Sequence, residues 1–591
     1  MRFVSQKNML NKLIIFTLFI YNLSFSQLSV RNNAYIFVDN EVVFVEDDIN
    51  LNEASSSIYL RNESQLIQGA GTTGNSGIGE LSVYQEANAG EYEYNYWCSP
   101  IGDKTNNLIN NPFGISLLND ATGLITSTPA TFVSSASFNG TSTPLNIEPY
   151  WVWKFISSNG YSEWIHIKGS TAINPGEGFT MKGTAGSGNA QRYDFRGKPN
   201  NGTIAVAVLN NHFTLAGNPY PSAMDAAAYL HDTQNAAVIN GSLYFWEQDQ
   251  TINSHALDEY SGGYASYTIN AAGTVETFVS AVFNTYNDDG TINVTNTGTG
   301  NNVARRYIPI GQGFMVEGVA NGMVRAKNEH RAFIKESAGN SQFFRPSEKK
   351  EKNTTNENRF SEVPDDYKRF RLNIDFNNRY TRQLVQTFHD TANKGFDYGL
   401  ESYINSSDIL SSDAYWTIDN NSYISEALPL DIDLKIPLVI QTNENVPIRI
   451  RIADIQNFDS ASPIYIHDIE KDTFINLKDQ DFEINLESGA YKERFEITFS
   501  KTVLNNTEDT FKNLKIFQNN RTSQLKVLNK SNLEIKTFSL YDVTGKQVMN
   551  DRMASSKSKY TYSTKTLNSG VYIVKIELKN QQVFNKKIII N

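Results

Sequence analysis

Three landmarks occur twice, in the same order, between residues 91 and 340, and this repetition restricts the fold more than any other feature of the chain. The first set is Asn95-Tyr96-Trp97-Cys98-Ser99-Pro100, then Tyr150-Trp151-Val152-Trp153, then Asn174-Pro175-Gly176-Glu177-Gly178-Phe179-Thr180-Met181-Lys182-Gly183. The second is Thr214-Leu215-Ala216-Gly217-Asn218-Pro219, then Leu243-Tyr244-Phe245-Trp246, then Pro309-Ile310-Gly311-Gln312-Gly313-Phe314-Met315-Val316-Glu317-Gly318. The spacing G-x-G-F-x-x-x-G is identical in both, whereas the intervals between landmarks differ, as insertions between framework strands would produce. An internal duplication predicts equivalent buried places for Phe179 and Phe314. Glycines beside a buried aromatic fit a tight turn or bulge entering a strand better than a ligand loop.

Composition places that unit in the β class. The chain has 591 residues, with 30 Tyr and 34 Phe beside only 8 Met, a balance that favours strands. At roughly 150 residues per domain several units are expected, and the fold class is mainly β, a series of β-sandwiches. Residues 27–90 carry short apolar runs, Ala34 to Val38, Val42 to Val45 and Ser57 to Leu60, divided by Asn, Asp and Glu; they suit a short β-solenoid or a meander, and periodicity does not choose. Residues 91–200 and 201–340 are the two copies. A polar linker at 341–365 precedes a β-sandwich at 366–500, and a second linker at 501–510 precedes the tail, 511–591. The main helical candidate is Ala223 to His231, with Ser222 as cap. Gly69 to Gly74 match a dinucleotide-binding spacing, but a strand-like segment follows where that chemistry needs a helix. This stretch reads as a loop.

Arg2, Lys7 and Lys12, the apolar run Leu13 to Tyr21, and Ser24-Phe25-Ser26 form the pattern of a secretory signal peptide over residues 1–26. The apolar run of about nine residues falls short of the roughly 20 that span a bilayer, so no membrane-spanning segment is expected in the mature chain. Cys98 is the single cysteine, which excludes an intrachain disulfide. The net charge of -11 divides unevenly: residues 511–591 hold 15 Lys+Arg and 4 Asp+Glu, or +11, leaving -22 elsewhere. An acidic body argues against nucleic acid as partner, because phosphate binding is built on Lys and Arg.

The tail divides into about seven short strands, suited to a small immunoglobulin-like sandwich. Ser539-Leu540-Tyr541-Asp542-Val543-Thr544-Gly545-Lys546, then Leu567 to Ile576 around Gly570 and Tyr572, then Lys586-Lys587-Ile588 at the end, resemble the type A sorting domain of the type IX secretion system. The resemblance implies that the secretion machinery is a partner, recognising this domain and passing the protein from the periplasm to the surface or medium. Residues 366–500 resemble a β-sandwich often found ahead of such domains, with no catalytic role implied.

For the exported part, His-Glu-x-x-His and Gly-x-Ser-x-Gly are both missing from the sequence. Cys98 reads as a small buried thiol. Two carboxylates for glycoside hydrolysis need no sequence motif, so a secreted carbohydrate-active enzyme stays open, as does a purely structural envelope protein. Asp390, Asn393, Asp397 and Glu401 lie along one glycine-bearing loop and are the candidate ligands for calcium, a cation bound by carboxylates and loop carbonyls. Trp151, Trp153, Trp164 and Trp246 are candidates for stacking on sugar faces. The expected function is a non-catalytic secreted or surface protein for adhesion or for binding glycan or matrix.

Overall fold

A computed structural model describes residues 27–71, 73–88, 90–168, 171–185, 190–344, 360–404, 409–501, 514–530, 532–552, 557–579 and 582–591. The expected signal peptide and most of both expected linkers lie outside these. The described chain is mainly β and forms two compact units that divide at Phe499.

The first unit begins as a three-sided parallel solenoid. Leu28–Val30, Ile49–Leu51 and Ser76–Gly77 stack on one side, Tyr35–Asp39, Ser57–Arg61 and Glu80–Asn88 on the second, and Val42–Val45 with Gln65–Gln68 on the third, each pair parallel and in register. The corners explain why asparagine divides the apolar runs. Asn32, Asn33, Asn40 and Asn62 all take the left-handed conformation, which asparagine tolerates better than most residues. Val30, Val38, Val45, Ile49, Leu51, Ile58, Leu60 and Leu66 point inward to form the core.

Between residues 91 and 340 the landmarks lie on matching frameworks. In the first stretch, Gly178–Lys182 pairs antiparallel with Tyr94–Cys98 on one side and with Trp153–Lys154 on the other. In the second, Gly313–Glu317 lies likewise between Phe213–Gly217 and Leu243–Gln248. The register also matches: Gly178 faces Cys98 and Phe179 faces Trp97, as Gly313 faces Gly217 and Phe314 faces Ala216. Phe179 and Phe314 are both fully buried.

The paired glycines have two separate tasks. Gly176 and Gly311 have φ of +84° and +77°, the turn conformation that glycine adopts without a Cβ penalty. Gly178 and Gly313 sit where the two frameworks meet: a Cβ at Gly178 would lie 2.7 Å from Ala216 O, and one at Gly313 would lie 2.8 Å from Trp97 N. Bridges join Glu177 to Ala216 and Gln312 to Trp97. Exchanging the two stretches converts one bridge into the other, so the contact is self-complementary in the manner of a two-fold dimer interface.

The segments expected from the sequence at 27–90, 91–200, 201–340 and 366–500 pack together within the first compact unit. Glu80–Asn88 of the solenoid pairs with Ala190–Pro199, so one sheet crosses the boundary at 90. Val279 and Val282 share a core with Phe370, Leu372 and Trp416 of the sandwich, and Arg371 Nη1 donates to Phe278 O at 2.7 Å. Shared burial of apolar surface overrides the polar linker in sequence. The helix expected over Ala223 to His231 shortens to Ala226–Leu230, capped by Asp225 instead of Ser222. Ala223–Asp225 is drawn into strand pairing with Tyr307–Ile308 and Arg331–Ala332.

Among the described residues the second unit is a seven-stranded sandwich: Leu514–Asn519, Gln524–Asn529 and Lys559–Ser563 form one sheet, and Gln547–Arg552, Ile535–Asp542, Gly570–Leu578 and Val583–Ile590 the other. Leu525, Val527, Phe538, Leu540, Val574 and Ile576 fill its core.

Candidate functional site

The first unit holds a cleft of about 400 Å³ walled by aromatic rings from both stretches. Tyr94, Tyr96, Trp153, Tyr161 and Trp164 come from the first, and Trp246, Tyr260, Tyr264 and Tyr286 from the second. Strand alternation places them. Tyr94 and Tyr96 lie two apart on Tyr94–Cys98, and on Leu243–Gln248 the alternation sends Leu243 and Phe245 to the core while Trp246 faces the other way. Trp246 is registered opposite Tyr264, with ring centroids 5.2 Å apart. Gly262 leaves room for the indole, since a Cβ there would lie 2.6 Å from Trp246 Cζ2. Tyr96 Oη and Tyr264 Oη meet at 2.8 Å across the two stretches.

Loops complete the walls. Trp164 ends the short helix Tyr161–Glu163, where Glu163 Oε2 accepts from Asn159 N at 2.6 Å and Gly160 N at 2.8 Å. Its ring packs on Phe155 at 4.7 Å. Trp153 Nε1 donates to Tyr150 O at 2.7 Å, which fixes the ring. Tyr161 closes over Gly290, whose missing side chain makes the contact: a Cβ would lie 2.2 Å from Tyr161 Cγ. Tyr161 and Tyr264 remain 49% and 40% exposed.

Three of the four tryptophans singled out in the sequence therefore meet in one cleft. Trp151 does not line it. It is buried, its Nε1 donates to Phe138 O at 2.8 Å, and its ring is covered by Lys182 Nζ at 3.8 Å and by stacked His255 at 4.9 Å. Lys182 donates to Tyr260 Oη and to His255 Nδ1, while His255 Nε2 reaches Asn139 Oδ1. Burial pushes the Lys182 pKa down to about 6, and burial followed by the neighbouring lysine pushes His255 down to about 4. Burial also raises Tyr94, Tyr96 and Tyr260 above the usual phenol range, so these hydroxyls stay protonated.

Sequence reasoning missed the tyrosines, Lys182 and His255. The alternation Tyr92, Tyr94, Tyr96 was the available signal for a one-sided aromatic row; nothing local pointed to Lys182 or His255, which are 73 residues apart.

Among the candidate calcium ligands, Asp397 and Glu401 are engaged with backbone amides. Glu401 is buried and turns inward to accept from Asp397 N at 2.5 Å and Ala427 N at 3.0 Å, with burial raising its pKa to about 9. Asp397 is occupied with Asn393 N, and Asp390 stands exposed. Among the described residues, the group of three metal-type ligands that does come together is Asp232, Glu329 and His330, where Asp232 is already bound by Lys327. Cys98 is fully buried against Gly217, and burial raises its thiol pKa far above the ordinary value. A neutral buried thiol is a poor nucleophile.

In the tail, Asp542 Oδ1 accepts from Thr544 N at 2.9 Å, Thr544 Oγ1 at 2.6 Å and Lys546 N at 3.0 Å, and Gly545 turns with φ of +84°. Tyr541 lies on the strand leading into that turn. Tyr572, two residues after Gly570, donates from Oη to Asn568 O at 2.9 Å. Lys586 and Lys587 are exposed on Val583–Ile590, an edge strand of its sheet. Charge on an edge strand blocks unwanted pairing.

Comparison with known proteins assigns the two units differently. Residues 515–591 match the family described as "Secretion system C-terminal sorting domain". The tail is thus a type A sorting domain of the type IX secretion system, and the chain is a protein exported by that route to the cell surface or the medium. Among the described residues no helix is long and apolar enough to cross a membrane. Residues 124–499 match the family described as "Domain of unknown function (DUF8693)". No curated protein matches. Among solved structures, the chain is similar to one titled "Biofilm associated protein - BSP domain" at 7% identity, covering 61% of this chain and 97% of that one, with a TM-score of 0.11. A likeness that faint carries no argument.

Proposed function

Because the chain belongs to the family described as "Domain of unknown function (DUF8693)", whose description names no activity, we propose a role from the cleft itself: the exported body is a non-catalytic binding protein that attaches to glycan or matrix outside the cell. The observation that carries this reading is the convergence of nine aromatic side chains on one open cleft within a single compact unit. Tyrosine and tryptophan combine a flat apolar face with a polar handle, which suits ligands that are apolar on one face and hydroxylated at the rim. A cleft of about 400 Å³ lies within the usual size of a small-molecule site. We also read residues 91–340 as a duplicated unit, supported by the matched register of Gly178–Lys182 on Tyr94–Cys98 and Gly313–Glu317 on Phe213–Gly217 and by the exchangeable bridges. On this reading duplication created the cleft, since its walls come from both copies.

The test is a glycan array probed with the purified chain and with Trp153→Ala and Trp246→Ala. The expected result is binding by the parent and weaker binding by both variants. Turnover of a bound glycan would establish the enzyme instead. Binding that neither substitution weakens would move the site elsewhere.

A further inference from the structure

We propose that the cleft is selective for an uncharged hexopyranose chain, an inference that rests on the glycan reading above and narrows it. Among the described residues, the lining consists of aromatic rings, tyrosine hydroxyls, Ser162, Thr180, Leu257 and Gly290. The lining offers faces for stacking and neutral donors and acceptors for sugar hydroxyls. It offers no formal positive charge. A uronate, sulfate or sialate entering it gives up hydration without meeting a cation in exchange, and a charge moved into a partly dry site without a partner is strongly disfavoured.

The ammonium beside the cleft does not fill that role. Lys182 is held under the wall by Tyr260, His255 and the face of Trp151. Its donors are directed at protein groups, and burial favours its neutral form. The hydroxyls of Tyr94, Tyr96 and Tyr260 stay protonated at neutral pH, so the wall carries no phenolate charge, and the half-exposed Tyr161 and Tyr264 offer neutral donors and acceptors to sugar hydroxyls. Long-range electrostatics act in the same direction. The residues outside the tail carry a net charge of -22, and a field of that sign slows the approach of polyanions. Rings set along both walls leave the C–H faces of a pyranose as the surface to be covered, and burying that surface supplies affinity that salt does not screen.

The experiment is a printed array holding neutral, sulfated, sialylated and uronate-bearing glycans together with a choline-coated surface, probed with the full chain at low and high salt. The expected result is that neutral glycans give the signals and that raising salt leaves them unchanged. In Trp153→Ala they should weaken about tenfold, the equivalent of about 1.4 kcal/mol. Tyr161→Ala, at an exposed lip position, supplies a second variant that should weaken them likewise, and circular dichroism checks that both variants fold. Signals strongest on acidic glycans, or signals that collapse with salt, overturn the selectivity while leaving the glycan reading standing. Silence on all glycans, with or without retention on choline, removes the glycan reading and this inference with it.

Discussion

Residues 91–200 and 201–340 use one framework for unequal ends. Each places a glycine and a buried phenylalanine on a central strand, with the same register against one flanking strand, Tyr94–Cys98 or Phe213–Gly217, whereas against the other Trp153 faces Thr180 and Tyr244 faces Met315. Their differences lie in what surrounds it. The first stretch packs Trp97 opposite Phe179, whereas the second packs Ala216 opposite Phe314, because each framework must fit against the other as well as fill its own core. The cleft residues Tyr161, Trp164 and Tyr286 lie outside the repeated landmarks, on intervals that differ between the stretches. What repeats maintains the fold, and what does not repeat builds much of the site.

The largest effect that tests this comparison is loss of the central phenylalanines. Phe179→Ala and Phe314→Ala should each cost about 3–5 kcal/mol, as for truncation of a fully buried ring, measured by urea unfolding. A silent result at one and a large one at the other would end the equivalence. Next is the glycine contact. A Cβ at Gly217 would lie 2.3 Å from Cys98 Cβ and 2.6 Å from Gln312 O, so Gly217→Ala should lose about 1–3 kcal/mol by overpacking. Gly114→Ala is the control, because its Cβ would meet only Ser116 Oγ at 3.6 Å; equal costs would show that close approach is not the reason for glycine.

A third test uses pH. The folded Lys182 pKa, about 6, lies below its ordinary value of 10.5, so between these the unfolded chain holds a proton that the folded chain lacks. Stability therefore falls as pH drops from 10.5 towards 6, and Lys182 adds no further change below that. Glu426 in the sandwich has the opposite sign: burial raises it from 4.5 to about 8, so stability falls as pH rises through that window. Thermal melts across pH should show Lys182→Met flattening the first slope and Glu426→Gln the second. If either variant leaves its slope intact, that group is not the source. The smallest effect belongs to Tyr264→Phe, which keeps the ring and removes the hydroxyl contact to Tyr96 between the stretches; about 1 kcal/mol is expected, and no change would mean that the bond is replaced by water.

Much of this was legible in sequence where the signal is local. Short runs rich in branched and aromatic residues set the β class, and the tail motifs set the route of export, because turns such as Asp542 to Lys546 are built from their own residues. Asparagines at the solenoid corners were visible, yet the choice between solenoid and meander depended on pairing Tyr35–Asp39 with Ser57–Arg61 in parallel, a contact between strands 22 residues apart. The expected calcium loop rests on local sequence alone. Its acids are adjacent in sequence, but Glu401 is claimed by Ala427 N from another strand.

The sequence by itself determined the strand alternation, the repeated glycine and phenylalanine landmarks and the sorting tail, since each rests on backbone preference or on neighbours within a few residues. Only the tertiary structure decided that Trp153, Trp164 and Trp246 share a cleft, that Trp151 and Lys182 pack beneath it, and that the sandwich joins the core of its neighbour. Those outcomes depend on burial of apolar surface between segments distant in sequence, and burial is decided by which faces meet.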